Sequence, residues 1–456
     1  MGEVKSYELS DIDKMGFTKT VKIVFLYELQ ATVDAESLIF ALLEGIRNAT
    51  RQLPFMAGDL QLNEAGKLCS VTTAESEVDV NIRRFEPTEC EPFSALAKGS
   101  FSPELDLTRF LPEEPVGKQP ACKIQIGVID GGLTLGLRLN HAAGDWTSLD
   151  TCLSLISQST KAHLGGQAMP TYTPDLNRAA FNTPAPDPAI TRADQLAKVP
   201  FFSVIEKSQF KINPPPPCRA NIYRISEPTI QQLKAECTPH LDGVDYITSY
   251  DCISALIWTA ITRARLHVHP DKSNAPTRFV HPIDVRTRDP DQKTSPQYFG
   301  NAVLGTLAGP LPAQDLIASA DGATDAPTPA RSLATAASLV RRSISRIDVS
   351  SFAAMTGLLA SLTPTETLAP NADFGDMDLF MNTWYSGSVE KYDLGAGVVP
   401  AAVRVQAGMP GACASILPNF SRGGPRVFDV YVQAPVEVYE VLRGDEQFLK
   451  YFELVA

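Results

Sequence analysis

Leucine recurs at every second position through Leu133-Thr134-Leu135-Gly136-Leu137-Arg138-Leu139, a period of two that predicts a strand with one leucine-lined face. Just before it Ile124, Ile126 and Val128 alternate with other residues, and Asp130-Gly131-Gly132 supplies turn chemistry, so the two runs predict a hairpin. The continuous apolar run 20–27 predicts a buried strand. After it, Asp34 caps a predicted helix in which Leu38, Leu42 and Ile46 recur at four-residue spacing. Residues 58–85 predict further strands, and Leu149, Cys152, Leu153 and Ile156 a helix that stops near Gly165-Gly166.

Prolines at 170, 174, 184, 186, 188 and 214–217 then interrupt any regular pattern. We read a crossover there, dividing the chain into an N-terminal domain 1–168, a linker 169–218 and a C-terminal domain 219–456. A chain of 456 residues is long for one core, which agrees with that division. The second half predicts a strand at 220–225, a helix ending near Cys237 and a helix at 249–265, capped by Thr248 and closed by arginines that complement its dipole. Strands at 279–285, 378–385, 403–405, 412–417 and 427–432, with helices at 328–347, 350–362 and 436–442, complete an α/β pattern of mixed connectivity.

A formal charge of -12 argues against a general nucleic-acid binder, since phosphate neutralisation needs a basic face. A few local lysines and arginines can still hold a polyanionic cofactor. No apolar run reaches the ~18 residues that span a membrane, and a cytoplasmic location is the default expectation; a monomer is expected as well. The eight cysteines show no Cys-x-x-Cys, which suits free thiols in a reducing compartment. His267-Val268-His269 is only a pair of histidines in a predicted loop, and no metal site is assigned.

Candidate chemistry sits just after the leucine strand, at Asn140-His141-Ala142-Ala143-Gly144-Asp145-Trp146. If the pleat continues, His141 falls on the leucine face, where an inward imidazole can take a proton from a bound substrate. A His-x-x-x-Asp spacing alone arises by chance in roughly a third of such chains. Three further places in order along the chain give it weight. They are the helix 249–265 with Leu256, Trp258, Ala264 and Arg265; Asp284-x-Arg286 with Tyr298-Phe299-Gly300-Asn301; and Thr383-Trp384 with Tyr392-Asp393-Leu394-Gly395-Ala396-Gly397.

Together these segments resemble the BAHD acyltransferases, in particular the fungal ones, across nearly the whole chain. His141-x-x-x-Asp145 corresponds to the family's His-x-x-x-Asp, and 392–397 is similar to a degenerate Asp-Phe-Gly-Trp-Gly signature. Three departures are visible. Asn140 stands for a frequent first histidine, Trp146 for the usual glycine, and Ala396 for the signature's tryptophan.

The resemblance implies two similar chloramphenicol acetyltransferase-like domains with mixed sheets and a solvent channel between them. It implies an acyl-CoA co-substrate, acetyl-CoA by analogy, with no permanently bound cofactor, and a small alcohol or amine acceptor in a ternary complex. His141 would be the general base. Asp145 would turn away from it and pair with Arg286, pinning the turn. Trp146, Asn301, Thr383, Trp384, Gly395 and Gly397 are candidates for the substrate and coenzyme A channel, although the two glycines suit a tight turn better than a substrate contact. Two other readings stay open: a stand-alone condensation-domain relative that takes carrier-bound acyl groups, and a small-molecule binding protein of the same fold. Asp373-Phe374-Gly375 spells a kinase triplet without its companions and receives no role.

Overall fold

Thr20–Glu28 and Gly132–Asn140 pair antiparallel along their whole length, from Thr20 opposite Asn140 to Glu28 opposite Gly132. They lie inside a five-stranded sheet, in the order Pro400–Val405, Thr20–Glu28, Gly132–Asn140, Cys122–Ile129, Asp79–Arg84. Only the last pair is parallel. The computed structural model describes residues 4–16, 19–181, 190–210, 214, 216–288, 295–317, 329–405 and 411–456. The expected hairpin is present, and Gly131 at its turn has a φ of 71°.

Every residue of Gly132–Asn140 is buried, the non-leucine face included. Alternation alone predicts one solvated face. Instead Val24, Leu26, Phe93, Phe101, Phe110 and Leu111 form a second apolar layer over the sheet. The buried Arg138 is satisfied locally, donating to the Pro112 carbonyl and to Glu114. Helices Ala35–Gln52, capped by Asp34, and Trp146–Leu164 belong to the same unit, and Asn48 and Ser159 bond across them at 2.9 Å.

The chain divides into two compact units that interleave in sequence. The first comprises Met1–Asn182, Asp289–Ala302 and Ser386–Gly408; the second comprises Thr183–Arg288, Val303–Tyr385 and Met409–Ala456. The division expected at 169–218 is thus a break in sequence pattern, whereas the spatial units are not contiguous. Pro400–Val405 shows why, because it joins the first unit's sheet by pairing with Thr20–Glu28. Nor is the crossover without elements: Arg192–Lys198 is a helix and Phe202–Glu206 a strand paired with Glu366–Pro370.

The second unit is built on a seven-stranded sheet in the order Val303–Pro312, Pro276–Asp284, Leu379–Thr383, Cys413–Ile416, Val427–Pro435, Cys218–Ser226, Glu453–Leu454. Helix Ser249–Val268 is its most buried helix, with Trp258 fully enclosed and its indole N–H donated to Thr277 Oγ1 at 2.9 Å. Arg265 lies in the last turn as expected, and its guanidinium has further partners. It is 1% exposed and donates to the Phe374 and Asp378 carbonyls at 3.0 Å each.

Candidate active site

The strand Gly132–Asn140 stops where the candidate motif begins. Asn140 ends the strand with an extended backbone, its side chain accepts the Ala142 N–H at 3.0 Å, and His141–Ala143 forms one 3-10 turn. His141 is therefore presented by a capped turn rather than by continued pleat parity, and it is half-buried. Gly144 extends the chain to Asp145, which caps helix Trp146–Leu164 by accepting the Ser148 N–H at 3.2 Å. The other carboxylate oxygen of Asp145 accepts the Ala302 N–H at 2.9 Å. Ser148 Oγ also donates to the Gly300 carbonyl and accepts its N–H, both at 3.0 Å. A 3-10 turn, a helix N-terminus and the segment 300–302 are thus laced into one frame.

That frame brings Asn301 to the imidazole, with Asn301 Oδ1 at 2.9 Å from His141 Nδ1. The Asn301 amide nitrogen donates to the His141 carbonyl at 2.7 Å and to Asp13 Oδ1 at 2.9 Å. Its oxygen therefore faces the ring, and an amide oxygen can only accept, so the proton sits on Nδ1. Nε2 is left as the basic nitrogen. Asn301 is 3% exposed and committed to this task, so it acts as the support of the imidazole rather than as channel lining.

Asp13 lies behind Asn301 and is 0% exposed. One oxygen accepts both the backbone and the side-chain N–H of Asn301, at 2.7 and 2.9 Å. The other accepts the Ser10 N–H at 2.8 Å and lies 3.4 Å from Arg178 Nε. The helix Asp11–Lys14 continues into Gly16, whose position would put a Cβ 2.7 Å from the His141 carbonyl carbon, so only glycine lets the two backbones approach this closely.

The other candidates scatter. The Trp146 indole donates to Ser386 Oγ at 3.0 Å, tying the helix start to the segment after 385. Lys391 and Tyr392 fasten the same segment to Asp150, and Lys161 pairs with Asp393 at 2.9 Å. Gly395 and Gly397 take φ values of 102° and 75° and flank Ala396 at 53°, so the degenerate signature forms a left-handed turn. In the second unit Arg286 is 3% exposed and bonds Asp284 of its own motif at 3.2 Å. Thr383 is exposed at its strand end, and Trp384 is buried with its N–H on the Ile416 carbonyl.

The sequence profile of the Transferase family matches residues 3–419. The chain belongs to this family, the BAHD acyltransferases. It is an acyl-CoA-dependent acyltransferase. Over 487 residues it is 23% identical to acyltransferase cm3D of Cordyceps militaris, covering 98% of this chain and 96% of the relative. Trichothecene 3-O-acetyltransferase TRI101 of Fusarium sporotrichioides is 22% identical over 58% of this chain and 60% of its own. The crystal structure of TRI101 from F. sporotrichioides with coenzyme A and T-2 superposes with a TM-score of 0.76 at 19% identity, covering 99% of this chain and all of that one. Vinorine synthase superposes with a TM-score of 0.63 at 16% identity, over 98% of this chain and 94% of its own. These likenesses carry the α/β chloramphenicol acetyltransferase-like fold.

Three other features of the acyltransferase invite a catalytic reading and fail it. Tyr250, His281 and Ser343 form a string with both contacts at 2.9 Å, but His281 and Ser343 are sealed. Ser343 Oγ donates to the Val340 carbonyl, so it accepts from His281 and is not activated by it. The cysteines are free thiols, and burial pushes Cys152, Cys237, Cys252 and Cys413 up to about 12. A cavity of about 680 Å³ beside Arg47, Arg51 and Glu77 contains none of the candidate residues. Among the described residues no group of three or more His, Cys, Asp or Glu could hold a metal, and no helix is long and apolar enough to cross a membrane.

Sequence reasoning missed Asp13 and Ser148. For Asp13 a signal was present: Ser10-x-x-Asp13 is a capping box, with Ser10 Oγ accepting the Asp13 N–H at 3.1 Å.

Proposed function

We propose that the protein acylates a hydroxyl of a small specialised metabolite, with acetyl-CoA as donor and His141 as general base. One observation carries this: the Asn301 oxygen 2.9 Å from His141 Nδ1, which leaves Nε2 to accept a proton. In a ternary complex Nε2 takes the acceptor's hydroxyl proton as its oxygen bonds to the thioester carbonyl carbon. The tetrahedral intermediate collapses by breaking the C–S bond, and the imidazolium returns the proton to the thiolate of coenzyme A. A thioester is already activated, so no serine or cysteine nucleophile is needed.

In this reading Asp145 and Arg286 are structural residues. Thr383 and Trp384 lie along the pantetheine arm, and the chain acts as a monomer in the cytoplasm. Relatives that are O-acetyltransferases support an alcohol over an amine acceptor. The first condensation domain of the CDA synthetase shares the fold at 12% identity and a TM-score of 0.56. The donor separates the two functions, because a condensation relative would require a carrier-bound acyl group.

The test incubates purified protein with acetyl-CoA and a panel of hydroxylated terpenoids and polyketides, reading products by mass spectrometry. A mass gain of one acetyl group, dependent on enzyme and absent with His141→Ala, is expected. No acetylated product with any acceptor, alongside saturable binding of an acceptor, would establish a binding protein instead.

A further inference from the structure

We propose that Asp13 is a positioning residue of the transfer reaction: through the Asn301 amide it holds the proton on His141 Nδ1 and strengthens Nε2 as a base. The proposal rests on the assignment of His141 as base. It concerns a residue from a different stretch of the chain, 128 positions earlier.

The two oxygens of Asp13 do separate work. Oδ2 accepts the Ser10 N–H at 2.8 Å and completes the capping box, which is all that a one-turn helix requires of this position. Oδ1 faces the other way and receives both N–H groups that Asn301 offers to it, at 2.7 and 2.9 Å. With its amide nitrogen also on the His141 carbonyl, Asn301 has no orientation other than oxygen toward the ring. A carboxylate acceptor makes those bonds charge-assisted, and it polarises the amide so that Oδ1 is a better acceptor for the Nδ1 proton. When the ring becomes imidazolium, the Asp13 charge lies two hydrogen bonds away in a dry environment and offsets it. A carboxylate behind a histidine performs the same service in serine hydrolases, but there it touches the ring directly. Here an amide is interposed.

The charged residues tied to this frame are Asp13, Arg178 beside it, and Asp145 at the helix cap, while the backbone carbonyl of Lys19 accepts the backbone N–H of His141 at 2.8 Å. Arg178 Nε lies 3.4 Å from Asp13 Oδ2, the oxygen that does not bond Asn301.

Asp13→Asn in the full chain tests the assignment. The readouts are steady-state kinetics with acetyl-CoA and an accepted alcohol, the pH dependence of kcat, and the 15N shifts of the labelled His141 ring. We expect kcat to fall about 10- to 100-fold, by analogy with the range seen when the outer partner of a metal-bound histidine is removed. KM for acetyl-CoA should stay within about twofold, because uniform binding is untouched. The acidic limb of the profile should move to lower pH, and the 15N shifts should show a mixture of tautomers. Wild-type kcat with an unmoved limb, or a loss confined to thermal stability with the Nδ1–H tautomer retained, would overturn the proposal.

If Asp13→Asn does not fold, Asn301→Ala removes the same link and leaves the bonds to Ser10, and retention of the tautomer there is equally fatal. Ser10→Ala is the structural comparison: it weakens the cap without touching Oδ1, so it should lower Tm and leave the pH limb in place. A limb displaced as far as in Asp13→Asn would reduce Asp13 to a fold residue. The ring shifts require no turnover, so they judge Asp13 even if His141→Ala proves active and the base assignment itself falls.

Discussion

Asp145 and Ala302 stand 157 positions apart, yet a carboxylate oxygen of Asp145 accepts the Ala302 backbone N–H at 2.9 Å. The other oxygen caps the following helix at Ser148. Both residues are buried, at 3% and 0% exposure, so this one side chain satisfies two donors that water cannot reach.

Replacing Asp145 should therefore damage the fold before the chemistry. Asp145→Ala removes a cap and strands the Ala302 N–H, a combined loss of about 2–4 kcal/mol. Asp145→Asn keeps a competent cap but turns an amide N–H₂ or a weaker oxygen toward Ala302, so it should lie between wild type and alanine. Thermal unfolding should give Tm in the order wild type, Asn, Ala. An alanine variant that melts with the wild type would show that the tie to Ala302 carries no load.

His141→Ala should do the opposite. The ring is half-buried and its loss leaves only the Asn301 oxygen short of a donor, so stability should change by about 1 kcal/mol or less. The rate should fall by about 10²- to 10⁴-fold, the usual contribution of a positioned base. Product formation with a verified acceptor, measured beside a melting curve, checks both halves.

Much of this architecture could be read from local pattern, and the unread parts share a cause. The hairpin 122–140, the Asp34 cap and the helix from Ser249 declare themselves within ten or twenty residues. Val403-Arg404-Val405 also reads as a strand, but nothing local says that its partner is Thr20–Glu28. Strand Val303–Pro312 escaped because Gly305, Gly309 and Pro310 break its alternation. At the site, His141 and Asp145 announce themselves by spacing. The spacing Ser10-x-x-Asp13 announces only a helix cap, because the tie from Asp13 to Asn301 depends on what folds against it.

Arg265 shows how a residue can do more than the sequence pattern suggests. Its place in the last turn of a helix suggests dipole complementation, whereas its fork is spent on the Phe374 and Asp378 carbonyls. Burial pushes the guanidinium down to about 10, against the pull of Asp378, Asp376 and Asp373, so it stays charged at neutral pH. Arg265→Lys keeps the charge but cannot reach two carbonyls with one planar fork. We expect it to lower stability by about 2–3 kcal/mol. A denaturation midpoint equal to wild type would return Arg265 to the dipole role.

His281 makes a prediction about pH. Burial, then the positive charges of Arg341 and Arg288, lower its pKa from the ordinary 6.5 to about 3. In the unfolded chain it titrates near 6.5, so between these values the unfolded state binds a proton that the folded state refuses. Stability on this account is complete above pH 6.5 and falls as pH is lowered toward 3, by up to about 1.4 kcal/mol per pH unit. Other groups add their own slopes, and the comparison with His281→Gln isolates this one. The variant loses bonds to Tyr250 and Ser343, so it should be less stable at pH 7. Between pH 6.5 and 4.5 its stability should decline less steeply than that of the wild type, because glutamine binds no proton in either state. Urea midpoints at three pH values in that window decide the matter: parallel slopes would mean that His281 becomes protonated inside the fold.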